Sequence, residues 1–310
     1  MSPPSPRLSL LQARAHVEDA VENIGRRLIA FGGPIYVLLA NCIIGFIGFC
    51  MYFVVFPKSC SKIGWACSLH ITLFSLILFH VLSNYLFCIR NGPGHPTKLD
   101  ESSSEAVELF YPGVRKCDTC RCIKPQHCHH CSICNKCILR MDHHCPWMNA
   151  CIGKRNYRFF LRFLIAVWFG TLYTGIMSFL PVKVGYRSIE FSKKDSPLQL
   201  VCMFMSFSVF VGISLLLSFH LFLSFSGLTT IDFMERWMPE EGDDRSRWYT
   251  VVSSQELKFS NFKERIGASG SWWCLRCLLP PLPLGWLPRN IHKAKTRGPT
   301  IIDPFFGSKF

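Results

Sequence analysis

Charge is scarce in this chain, and most of it has one sign. Only 17% of the 310 residues are Asp, Glu, Lys or Arg, well under the roughly 25% of a soluble globular chain, while 49% are hydrophobic. That balance excludes both an ordinary soluble enzyme and a disordered chain. Acidic residues number 20 against 34 basic ones, leaving a formal charge of +14. Beside long apolar runs, such a surplus points to anionic lipid headgroups before nucleic acid, and no nucleic-acid partner is expected. Residues 1–31 carry Arg7, Arg14, Arg26 and Arg27 but no short apolar core with a small-residue cleavage site, so the first apolar span should stay as an anchor. The long apolar runs hold no charge except Arg162 near one end, which argues against a channel or transporter.

Four stretches are long enough to cross a bilayer: Ile35–Phe56, Trp65–Ile89, Phe159–Val182 and Gln199–Phe225. At about 1.5 Å per residue, a run of some 20 helical residues matches a hydrocarbon core of about 30 Å. Lys and Arg number 4 in the leading arm, 10 in the long central loop and 12 in the tail, against 2 and 4 in the short loops. The positive-inside rule then predicts cytosolic termini and a cytosolic central loop. The expected fold is an all-α polytopic membrane protein, with four transmembrane helices and a cytosolic two-zinc Cys-rich domain between helices 2 and 3. Its divisions are a cytosolic amphipathic arm at 1–34, helices 1 and 2 at 35–89, the zinc-binding loop at 90–157, helices 3 and 4 at 158–225, and a cytosolic tail at 226–310. In the arm, Val17, Val21, Ile24, Leu28 and Phe31 recur at helical steps, as in a helix lying on the membrane face or in one packed against the protein.

Nine of the 17 cysteines fall between Cys117 and Cys151, together with five histidines. Cytosolic thiols stay reduced, so these should be metal ligands, nucleophiles or idle. The loop repeats itself at an offset of 14 residues: Cys117, Cys120, His130 and Cys137, then Cys131, Cys134, His144 and Cys151. Each copy reads Cys-x2-Cys-x9-His-x6-Cys and supplies three thiolates and one imidazole, the donor set of a closed tetrahedral zinc site. A sequential partition, with Cys117, Cys120, Cys131 and Cys134 on one metal, breaks that symmetry and drafts Cys145 as a ligand. Apolar residues are few in the loop, so metal should supply much of its folding free energy, with short hairpins wrapped around two ions.

Eight ligands leave Cys122, Cys128 and Cys145 over. Only Cys145 has catalytic company, with His143 as a candidate base and Asp142 as the carboxylate that orients it, the arrangement of covalent acyl transfer. Asp142, His143, His144, Cys145, Pro146 and Trp147, set inside this repeat, resemble the signature of the DHHC family of protein S-acyltransferases, the palmitoyltransferases. The resemblance implies two structural zinc ions, acyl-CoA (palmitoyl-CoA or similar) as donor substrate, an acyl-enzyme on Cys145, and transfer to membrane-proximal cysteines of client proteins. An endomembrane location, in the Golgi or endoplasmic reticulum, is expected. The chain departs from the family's usual pattern in several places. Gly92-Pro93-Gly94 stands for Asp-Pro-Gly, Thr229-Thr230-Ile231-Asp232 for Thr-Thr-x-Glu, His127 and Cys128 for a basic and a small residue, and Ala150 for Asn, while Ser260–Gly267 resembles the family's tail segment.

Trp147, Phe159 and Phe160 sit where the loop meets span three, at the junction of the aqueous site and the buried acyl chain, and Trp147 and Phe160 are candidates to contact that chain. Lys136, Arg140, Lys154 and Arg155 suit either the phosphates of coenzyme A or ordinary loop charge. In span three, Ala166, Gly170 and Thr174 recur every four residues, as in helix packing or as a wall along the buried chain, with Gly170 about 16 Å deep. The histidines His70, His80 and His220 read as interior hydrogen-bonding groups and Cys42, Cys50, Cys67, Cys88 and Cys202 as small apolar fillers. Cys274 and Cys277 suit lipidation somewhat better than metal binding. A non-catalytic zinc scaffold is the competing reading, and it leaves Cys145 and His143 without a purpose.

Overall fold

The computed structural model describes residues 6–58, 65–96, 115–185, 196–237 and 257–266; Cys274 and Cys277 lie outside them. Helix α1 runs Pro6–Cys50 and continues through a π-helical turn, Met51–Val55. It has no break at residue 34, so the arm and the first span are one rod. The apolar stripe of the arm is exposed, with Phe31 83% accessible, so it is not packed against the described protein. Helix α2 is Ala66–Asn91, α3 Tyr157–Gly185 and α4 Ser196–Ser226. Four segments (Asn23–Lys58, Ala66–Asn91, Tyr157–Phe179 and Pro197–Ser226) are long and apolar enough to cross a membrane. Their outward residues include Phe53, Phe204 and Leu215 at 63–72% exposure, a surface suited to lipid and not to water. Cys67 is disulfide-bonded, which corrects its reading as a filler.

Between α2 and α3 lie three antiparallel hairpins. They pair β1 (Lys116–Cys117) with β2 (Cys122–Ile123), β3 (His129–Cys131) with β4 (Lys136–Ile138), and β5 (His143–Cys145) with β6 (Ala150–Ile152). Cys117 pairs with Cys122, Cys131 with Lys136 and Cys145 with Ala150, so a single hairpin design recurs three times at a step of 14. Each turn places one non-glycine residue in the left-handed region: Arg121 (φ 49°), Asn135 (φ 51°) and Asn149 (φ 45°). The interior of this domain is made of its own cysteines, with Ile138 and Met141, too small a core to fold such a segment by apolar burial alone.

The hairpins are bolted to the spans by backbone groups. Leu139 N–H donates to Gly94 O at 3.1 Å and Arg155 N–H to Pro93 O at 3.0 Å. The Gly92-Pro93-Gly94 turn therefore anchors the domain through its carbonyls, and the missing carboxylate takes no part in these bonds. The fully buried Asn156 donates to Cys88 O (3.1 Å) and Cys151 O (2.9 Å), tying α2 to the last hairpin. Two short helices, α5 (Thr230–Trp237) and α6 (Phe259–Arg265), follow the fourth span. Phe262 of α6 stacks on Phe225 at 4.9 Å.

Candidate active site

The strand pairing His130↔Cys137 and His144↔Cys151 sets each imidazole opposite a thiol, and the preceding hairpin turn adds two more sulfurs. The ligand atoms of Cys117, Cys120, His130 and Cys137 lie within 4.8 Å of one another, as do those of Cys131, Cys134, His144 and Cys151. His130 Nδ1 is 3.6, 3.3 and 3.8 Å from the sulfurs of Cys117, Cys120 and Cys137. His144 Nδ1 is 3.8, 3.3 and 3.6 Å from those of Cys131, Cys134 and Cys151. A tetrahedron with Zn–S of about 2.3 Å and Zn–N of about 2.0–2.1 Å has an S···N edge of about 3.6 Å. Both clusters therefore fit zinc in chemistry and in size. Cys122 and Cys128 lie in neither cluster; they are buried beside Cys117 and Cys137, and burial pushes the Cys128 thiol up to about 11.

Cys145 ends β5, opposite Ala150, and lies in neither cluster. His143 lies two residues back on the same strand, and both residues line the same cavity. His143 Nδ1 is 2.8 Å from Asp142 Oδ2. Burial alone would disfavour an imidazolium, but the bond to Asp142 and the proximity of Cys145 outweigh it and push His143 up to about 9. Asp142 is 1% exposed; burial opposes its charge, yet the bonds from His143 and Thr230 hold it below the usual carboxylate range. Thr230, the first residue of α5, donates its N–H to Asp142 Oδ1 (3.1 Å) and its hydroxyl to Oδ2 (2.7 Å). The start of α5 is in turn fixed by a capping box. Thr229 N–H donates to Asp232 Oδ2 (2.9 Å) and Asp232 N–H to Thr229 Oγ1 (3.1 Å). Asp232 Oδ1 meets His127 Nδ1 at 2.7 Å, so two residues that depart from the family pattern pair with each other.

Cys145 and His143 open onto an apolar cavity of about 570 Å³ walled by all four spans, among them Ile44, Val81, Gly170 and Ile213. Trp147 and Phe160 line its mouth. Phe160 meets His143 (5.1 Å) and the buried His220 (4.9 Å) edge-on, and the two imidazoles themselves lie 5.7 Å apart. Gly170 and Thr174 face the cavity and Ala166 does not line it, so the stripe serves as wall at two of its three positions. A Cβ on Gly170 would meet Ile77 Cγ2 at 3.1 Å. The cations separate: Arg140, Lys154 and Arg155 line a second hollow, and Lys136 lines neither. Thr230 has no role in the sequence reading, although the pairing of Thr229-Thr230 with Asp232 was an available signal; His220, read as an interior hydrogen-bonding group, meets the Tyr157 hydroxyl at 3.2 Å.

A thiol beside an imidazole and a buried carboxylate, set against an apolar cavity between the four spans, has the make-up of a group-transfer site. The family model for DHHC palmitoyltransferase matches residues 112–236. Among curated proteins, the chain is 28% identical over 222 residues to the probable protein S-acyltransferase 12 of Arabidopsis thaliana, covering 67% of this chain and 72% of that one. It is 34% identical over 166 residues to the palmitoyltransferase ZDHHC2 of Rattus norvegicus, covering 52% and 43%. Against the palmitoyltransferase ZDHHC15 of Xenopus laevis it is 35% identical over 139 residues, covering 45% and 41%. The chain thus spans less than half the length of the last two. Residues 112–236 carry the likeness to the DHHC palmitoyltransferases, and the relatives are themselves palmitoyltransferases or protein S-acyltransferases by name.

Proposed function

We propose that this chain is a protein S-acyltransferase that loads a long acyl group, palmitoyl or similar, from acyl-CoA onto Cys145 and passes it to client cysteine thiols. The observation that carries this reading is the set Asp142, His143 and Cys145 at the mouth of the four-span apolar cavity. In the first half-reaction Cys145 Sγ bonds to the thioester carbon while its proton rests on His143 Nε2. The tetrahedral oxyanion collapses, the carbon–sulfur bond to coenzyme A breaks, and His143 returns the proton to the departing thiolate. In the second half-reaction the client thiol gives its proton to His143 and attacks the acyl-enzyme, and Cys145 leaves and is reprotonated. Each step exchanges one thioester for another, so no ATP is consumed.

Asp142, held by Thr230, keeps His143 Nδ1 in its donating tautomer and leaves Nε2 to the sulfur. The cavity takes the acyl chain, whose burial is worth about 0.8 kcal/mol per CH₂. The two Cys3His clusters would hold zinc, which clamps neighbouring hairpins together and takes no part in the transfer. The excess of Lys and Arg in the central loop and tail supports cytosolic placement of both. The disulfide at Cys67, next to the short loop between spans one and two, supports an oxidising compartment on the opposite face. Endomembranes of the Golgi or endoplasmic reticulum suit that topology. Purified protein incubated with clickable palmitoyl-CoA should acquire a hydroxylamine-sensitive adduct on Cys145. A chain that binds two zinc ions but takes up no acyl group would leave the scaffold reading in its place.

A further inference from the structure

Outside the acyl site and the two Cys3His clusters, one more gathering of metal-ligating side chains occurs among the described residues. His129, Asp232 and Glu235 each offer one ligand atom, and these atoms lie within 4.8 Å of one another. They line a hollow of about 200 Å³ between the second hairpin and α5, whose wall also carries His127, Arg115 and Arg236. The hollow shares no lining residue with the acyl cavity. Asp232 and Glu235 stand three apart on α5 and so share a helix face. Opposite them, His129 opens β3, and His127 lies two residues before it.

Each imidazole is paired with one carboxylate, at different lengths. His127 Nδ1 lies 2.7 Å from Asp232 Oδ1, and His129 Nδ1 lies 3.8 Å from Glu235 Oε1. The first is a hydrogen bond, while the second is too long for one. It comes close to the edge of a metal tetrahedron with nitrogen and oxygen ligands, about 3.4 Å, and the Glu235 side chain, 61% exposed, is free to close the difference. Asp232 is buried and held on both oxygens, by His127 on Oδ1 and by the Thr229 N–H on Oδ2. Each oxygen keeps a second lone pair, and a carboxylate steadied in this way is the usual make-up of a ligand with its outer support. Arg115 and Arg236 offset the charge of the two carboxylates, so directed bonds and not net charge must hold a cation here. With an imidazole among the donors, that suits zinc or a similar late first-row ion and not calcium or magnesium.

We propose that His129, Asp232 and Glu235 form a third metal site, for a late first-row divalent ion such as zinc, with water in the fourth position and His127 supporting Asp232. The ion bridges β3 and α5. Because Thr230 at the head of α5 holds Asp142, such a bridge fixes the helix that steadies the carboxylate behind His143. Binding needs neither acyl-CoA nor Cys145, so the site stands or falls apart from the acyl-transfer reading.

The test takes full-length protein in detergent micelles, with both Cys3His clusters loaded with zinc, and titrates cobalt(II). Elemental analysis should then find one cobalt ion per chain beside the two zinc ions. Its spectrum should lack the thiolate-to-metal charge-transfer band that cobalt in a Cys3His cluster would give. Glu235→Gln, which changes an exposed side chain, should lose the cobalt and keep both zinc ions. His127→Leu removes only the support of Asp232 and should weaken cobalt binding by about 10- to 100-fold. Hydrogen exchange across residues 230–237 should slow on addition of cobalt in the unmodified chain and not in Glu235→Gln. A saturated chain that holds two ions only, or equal cobalt binding by Glu235→Gln, would overturn the proposal. So would a charge-transfer band, which would give the cobalt to the cysteines, or binding of calcium in preference to cobalt.

Discussion

The second and third hairpins have the same register, the same left-handed Asn at the turn and the same His-Cys pair closing the first strand, yet their cysteines differ in fate. Cys131 reaches forward, where its sulfur joins those of Cys134 and Cys151 around His144. Cys145 holds the equivalent place 14 residues later, but no fourth hairpin follows; the chain enters α3 at Tyr157. Where copy two has Cys134, copy three has the buried Met148. Position in a repeat therefore assigns chemistry. A cysteine with a hairpin after it joins a Cys3His cluster, and the last in the series, with no cluster to enter, lies beside His143.

The hardest way to break that comparison is to make one substitution at both equivalent positions. Cys131→Ser should lose a zinc ion and the folded domain together, because metal binding supplies on the order of 10 kcal/mol of such a module's folding free energy. Cys145→Ser should keep two zinc ions per chain, read by elemental analysis, and lose the acyl adduct completely. A zinc lost from Cys145→Ser would restore the sequential partition of ligands. Next in size, His143→Ala should slow acyl loading and transfer by about 10²–10⁴ without releasing zinc. Metal loss there would exchange the roles of His143 and His144.

Thr230→Val removes one hydrogen bond to a buried carboxylate, worth about 1.5–3 kcal/mol. A fall of about ten- to a hundredfold in loading rate at unchanged zinc content is expected, and an unaltered rate would detach α5 from the site. The smallest effect sharpens the reading of the cavity. Gly170→Tyr should shift the adduct toward shorter chains at similar expression, measured by mass spectrometry across acyl-CoA lengths. An unchanged length profile would return Gly170 to helix packing.

Much of this was legible in the chain because it is local. Span lengths follow from apolar runs, and the ligand grouping follows from a spacing repeated at an offset of 14. His143 and Cys145 share one strand face because they are two residues apart. What stayed hidden depends on contacts far apart in sequence. Thr230 meets Asp142 across 88 positions and His127 meets Asp232 across 105, and neither meeting has a period or a motif of its own. The first hairpin's place in the repeat was also hidden, because β1–β2 has no His to mark it and its recurrence lies in backbone register and φ.

Gly33 lies against the side-chain amide of Asn149, closer than any Cβ permits. One helical turn further, Tyr36 meets the Trp147 ring edge-on at 5.5 Å. Since α1 is unbroken from Pro6, these two contacts form the fulcrum of a stiff lever whose outer arm is about 40 Å long. A displacement along that arm is delivered to the turn carrying Trp147 and Asn149, which adjoins Cys145. A bulkier residue at position 33 would lift the rod from its seat and leave the entrance of the acyl cavity ajar.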